Sequence, residues 1–132
     1  MKSLLIVAHG SRRDASNKEI MTLADQVCAA LQPDIALAKV AFLAFASPSI
    51  SEAIATYLSA GVDEITVLPY FLSAGNHVSV DVPQAIHQAL QQRPDIKVTL
   101  LPHIGAMQAI TSLIIAAFNN QMAPTITNTS SS

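Results

Sequence analysis

The sequence predicts an α/β fold: a single doubly wound domain whose four-stranded parallel sheet is flanked by helices. Three observations carry that reading. Apolar strand-like runs recur at Ser3–Ala8, Ala36–Leu43, Glu64–Tyr70 and Ile96–Leu101. Within the first, Leu4 to Ala8 is apolar without alternation, the pattern of a strand covered on both faces. Helix start and stop signals fill the spaces between the runs, and a β-α-β-α-β-α-β-α order implies parallel strands with right-handed crossovers.

Taken in order, the first run stops abruptly at His9-Gly10-Ser11-Arg12. Ser16-Asn17-Lys18-Glu19 then reads as a capping box opening a helix to about Leu31, with the stripe Ile20, Leu23, Ala24, Val27 and Leu31. Cys28, beside that stripe, reads as a buried inert thiol. After the second run, Ser49-Ile50-Ser51-Glu52 forms another capping box, opening Glu52–Ala60, and Gly61 is a good residue to end it. Pro83 suits the first turn of a third helix, Pro83–Gln92, and a fourth covers about Ala106–Asn119. The domain is expected over residues 1–120. Residues 121–132, rich in Ser, Thr and Asn and without charge, are expected to form a mobile tail.

Composition narrows the function classes. Hydrophobic residues make up 51% of the 132 residues and charged residues only 12%, against a usual charged share of about 25%. So little charge implies that part of the outer surface is covered, as in a homo-oligomer. A net charge of −2 gives no support for a nucleic-acid partner. No run approaches the ~18 apolar residues of a membrane span. One cysteine excludes an intrachain disulfide and a multi-cysteine zinc site. A cytoplasmic location fits these features.

Three of the four histidines fall just past strand ends: His9 after the first, His77 after the third and His103 after the fourth. Ligands of open α/β sheets bind beyond the carboxyl ends of the strands. Neutral imidazole is the commonest ligand for borderline divalent metals and the usual general base near neutral pH. The remaining His87 lies among Gln84, Gln88 and Gln91, a pattern that reads as a solvated helix face. With no cysteine cluster and no HExxH, an open site of few protein ligands is expected rather than a closed zinc site. Dinucleotide, P-loop and α/β-hydrolase readings fail for want of GxGxxG, GxxxxGK[ST] and GxSxG. A histidine-phosphatase reading fails because Ala8 stands where an arginine is needed.

His9-Gly10-Ser11-Arg12, Phe42-Leu43 with Pro48-Ser49-Ile50 and Glu52-Ala53-Ile54, and Val67-Leu68-Pro69-Tyr70-Phe71-Leu72 with Gly75-Asn76-His77-Val78 and Asp81-Val82-Pro83 follow one another. This ordered set resembles the short sirohydrochlorin chelatases, class II chelatase-like proteins, over about Lys2 to Phe118. The resemblance implies a homodimer that inserts a divalent metal, Co²⁺ or Fe²⁺ and sometimes Ni²⁺, into a tetrapyrrole. The metal is then substrate, with no permanently bound cofactor. By position His9 and His77 match the family's metal-binding, catalytic histidines, and Ser11 and Arg12 the substrate end of the motif. Val78 is placed to pack on the ring face. At one point the chain departs from the pattern: the family carries an acidic residue where this chain has Ala44. That keeps a second class in play, a non-catalytic tetrapyrrole or metal carrier on the same fold.

Overall fold

The computed structural model describes residues 1–120 and 125–126, apart from the side chain of His77. The tail expected over 121–132 therefore lies outside the described residues, save for those two. The elements run β1 (Lys2–Ala8), α1 (Asp14–Leu31), β2 (Leu37–Phe42), α2 (Ile50–Ser59) and β3 (Glu64–Pro69). A π-helical turn, His77–Asp81, leads into α3 (Val82–Ala89), followed by β4 (Lys97–Leu100), a 3₁₀ turn (Ile104–Ala106) and α4 (Gln108–Asn120). The four strands form one parallel sheet in the order β2-β1-β3-β4.

The unalternated apolar run of β1 is explained by its central place. Leu5 and Val7 join one core cluster, with Ile65 and Val67 of β3 and Ala53, Ile54, Tyr57, Val82 and Ile86 of α2 and α3. Ile6 and Ala8 join a second cluster with Val40 and Phe42 of β2 and Ala24 of α1. Each large side chain fully buried in this way stabilises the fold by about 1.5–3 kcal/mol. Tyr57 ties the layers together. It is fully buried, its hydroxyl donates to the Leu4 carbonyl at 2.7 Å, and it accepts from the Lys39 N–H at 2.9 Å. Burial pushes its hydroxyl up to about 12.

Local signals mostly land where expected. Ser49 and Glu52 make a reciprocal capping box, each side chain meeting the other's backbone N–H. The first helix differs. It begins at Asp14, with Arg13 as a cap that uses no side chain. Ser16 is already inside the first turn, its N–H donating to the Arg13 carbonyl. Cys28 is half-buried rather than buried. The third helix is preceded by a π turn that the proline signal does not report.

The fourth helix departs most. It has no buried residue, and its main contact with another element is the preceding 3₁₀ turn. Leu113, Ile114, Ile115 and Phe118 are exposed, Phe118 at 74%. A 13-residue helix without a charged side chain has little to hold it in water alone.

Candidate functional site

Past the carboxyl end of β1 the backbone keeps pairing after the strand has ended. Leu43 N–H donates to the Ala8 carbonyl at 3.0 Å, and Ala44 N–H to the His9 carbonyl at 2.8 Å. Gly10 makes this approach possible. It sits at φ +95°, and a Cβ there would lie 1.8 Å from the Ala44 carbonyl oxygen. Only a glycine satisfies both conditions. The Gly10 of the sequence motif is thus the reason His9 and Ala44 share one wall.

Facing that wall is α3. A cleft of about 390 Å³ is lined by His9, Leu43 and Ala44 on one side and by Asp81, Gln84, Ala85 and Gln88 on the other. The spacing 81, 84, 85 and 88 is one helical face. Asp81 stands at the helix start, yet its side chain makes no capping bond there. The Gln84 and Gln88 of the expected solvated face are exposed, but what they border is this cleft. Sequence reasoning missed Asp81 as a site residue. The signal available was its place four residues after His77.

His9 is half-buried, with Nδ1 3.1 Å from the Gly10 carbonyl oxygen. A carbonyl can only accept, so Nδ1 is the donor in this contact; in the neutral ring that tautomer carries its lone pair on Nε2, the form in which imidazole binds a metal or takes a proton. The ring lies 5.9 Å from that of Phe45, tilted by 43°. The Arg12 guanidinium carbon lies 4.8 Å from the centre of the same ring, a cation–π distance. Phe45 is 55% exposed and sits at φ +67°, left-handed backbone that a bulky residue rarely adopts. The sequence contains no signal for it beyond its neighbourhood.

The other expected residues are placed as follows. Ser11 is held by Asn17, whose side-chain oxygen accepts from the Ser11 N–H at 2.9 Å while its amide donates to the Ser11 carbonyl at 2.8 Å. The Ser11 hydroxyl accepts from the Arg13 N–H at 3.0 Å, so it serves the turn. Val78 is half-buried in the π turn that His77 opens. The side chain of His77 is outside the described residues. His103 follows β4 and does not line the His9 cleft. Among the described residues no three His, Cys, Asp or Glu side chains converge as a closed metal site.

The chain is similar in sequence to curated proteins. The chain is 34% identical over 86 residues to the sirohydrochlorin cobaltochelatase of Methanococcus maripaludis, covering 65% of this chain and 58% of that protein. It is 32% identical over 114 residues to the sirohydrochlorin cobaltochelatase of Sulfurisphaera tokodaii, covering 86% of this chain and 88% of that protein. The alignment thus spans little more than half of the first relative and most of the second. The fold is that of a CbiX protein from Marinobacter aquaeolei VT8, with a TM-score of 0.78 and 24% identity over 92% of this chain and 98% of that one. A match to the CbiX family runs from residue 3 to residue 121, taking in the sheet except Lys2 and the cleft at its edge, and the chain belongs to that family.

Proposed function

We propose that the chain is a sirohydrochlorin chelatase that inserts a divalent metal into a tetrapyrrole, Co²⁺ first and Fe²⁺ second, in cobalamin or siroheme biosynthesis. One observation carries the reading. His9, its Nδ1 turned to the Gly10 carbonyl, lines a cleft at the carboxyl edge of the sheet in a chain of the CbiX family.

Metallation needs two things: the metal must shed water, and the ring must lose two pyrrole protons. An imidazole does either near neutral pH. In this reading His9 and His77 hold the incoming metal and leave positions open for pyrrole nitrogens, and one of them accepts a proton. Ser11, Arg12 and Val78 belong to the tetrapyrrole side, with Arg12 meeting peripheral carboxylates. The metal is substrate, and no resident cofactor is needed. The protein works in the cytoplasm, without nucleic-acid or membrane partners; among the described residues no helix is long and apolar enough to cross a membrane.

The working form is a homodimer. The support is α4, whose exposed Leu113, Ile114, Ile115 and Phe118 need a cover. A groove of about 490 Å³ between α3 and β4, lined by Ile86, Leu90, Ile96, Val98 and Leu100, lies along the edge strand from which the chain leads to α4. One two-fold axis at that edge buries both surfaces.

A carrier without catalysis is the second reading, favoured by the methyl group of Ala44 in the cleft. The deciding experiment is the initial rate of Co²⁺ insertion into sirohydrochlorin, followed by absorbance. Wild type should accelerate it, and His9→Ala and His77→Ala should each abolish the acceleration with little change in melting. Near wild-type rates in both variants reject the site. A wild type that binds the tetrapyrrole without speeding metallation makes it a carrier.

A further inference from the structure

We infer that Phe45 is the platform on which the macrocycle lies while His9 reaches its centre. The inference rests on the tetrapyrrole reading above and assigns the residue that orients the ring. Three features single Phe45 out. It is a large aromatic side chain left 55% exposed, next in the chain to Ala44 of the cleft wall. Its backbone is held at φ +67°, where a β-carbon is unfavourable, so the chain tolerates strain to present this ring. And the ring is close to both groups that the reaction needs, 5.9 Å from the His9 ring and 4.8 Å from the Arg12 guanidinium.

The ligand chemistry follows from that arrangement. A planar guanidinium stacks on a phenyl face in the same way that a flat conjugated ring does. Arg12 therefore marks a face that a macrocycle takes in its place. Once displaced, the guanidinium is beside the ring's rim, where a peripheral carboxylate gives it a bidentate partner. The same contact orders the two events: the macrocycle settles on Phe45 as Arg12 closes on its edge. The ligand class is thus a flat, carboxylate-bearing conjugated ring. A linear polyanion has no use for the aromatic face.

The test is a titration of metal-free sirohydrochlorin into the full chain, followed by the shift of its visible absorption, with a thermal melt for each variant. Phe45→Gly should weaken binding about tenfold, the size of one stacking contact. Its melting temperature should be unchanged or higher, because glycine relieves the left-handed strain and little burial is lost. Phe45→Tyr should restore the affinity. The Phe45→Gly deficit should persist at high salt, whereas that of Arg12→Ala should shrink as salt weakens the wild-type contact. Wild-type affinity in Phe45→Gly, or no recovery in Phe45→Tyr, overturns the platform and leaves the chelatase reading standing. Failure of wild type to bind the tetrapyrrole overturns both.

Discussion

Gly10→Ala is the substitution whose cost the structure states most directly. Two penalties add. A β-carbon at φ +95° meets the left-handed penalty, about 1–2 kcal/mol for an ordinary residue. It also lands 1.8 Å from the Ala44 carbonyl oxygen. Relieving that overlap separates the two backbone segments and breaks the 2.8 Å bond from Ala44 N–H to the His9 carbonyl, a further ~1 kcal/mol or more. A total of about 3 kcal/mol lowers the melting temperature by about 10 °C for a domain of this size. The chain should remain folded, since natural domains hold about 5–15 kcal/mol. Gly61→Ala is the built-in control. Gly61 has φ +85°, but nothing lies within 4 Å of a Cβ there, so only the conformational penalty applies. The assay is a melt by circular dichroism together with the metallation rate well below melting. Gly10→Ala should lose more stability than Gly61→Ala, and it alone should lose activity, because it moves the wall that carries His9. Equal melting shifts in the two variants would refute the close-approach argument.

Replacing Leu113 and Phe118 of α4 together by Glu should convert a dimer to a 13.9 kDa monomer in sedimentation equilibrium; a wild type that is already monomeric at micromolar concentration defeats the dimer. Asp81→Asn removes the one carboxylate among the described residues lining the His9 cleft, and Co²⁺ affinity by calorimetry should fall about tenfold or more; unchanged affinity takes Asp81 out of metal capture. Tyr57→Phe leaves the Leu4 carbonyl and the Lys39 N–H without their buried partner, at about 1–3 kcal/mol by denaturant titration. Because burial raises the Tyr57 hydroxyl from 10.0 to about 12, stability held by its neutral form is full below pH 10 and lost as pH climbs toward 12. The phenylalanine variant should show less of that alkaline loss, and an identical loss in both would assign it to other groups.

How much of this was legible in the sequence depends on where each signal lives. The strands were legible because β1 is central and buried on both faces, which forbids alternation between Leu4 and Ala8. The second capping box was legible because both of its bonds are local. The first does not form because Asn17, nine residues past the end of β1, is drawn back to the Ser11 backbone, and that bond depends on the turn after β1 rather than on the helix. The bareness of α4 was hinted at only through composition, by the low share of charge in the whole chain.

The site divides in the same way. His9 and Gly10 follow from a strand that ends in a turn, so their place at the sheet edge could be read from the sequence. Gln84 and Gln88 could not be, because nothing in a helix says which strand end its face will meet, and Asp81 carried only its spacing from His77. That missing piece bears on the choice between enzyme and carrier. Read as a sequence, Ala44 leaves the cleft without an acid. Read as a structure, the opposite wall of the same cleft presents Asp81, on a helix whose start it does not cap. A carboxylate and an imidazole lining one cleft offer a hydrated divalent cation both charge neutralisation and a borderline nitrogen ligand. A carrier of the tetrapyrrole alone has no use for a negative charge at that point, whereas a metal carrier uses it as the enzyme does. The alanine therefore counts for less against metal capture than it does in the linear motif, and the rate of metallation is what separates an enzyme from a metal carrier.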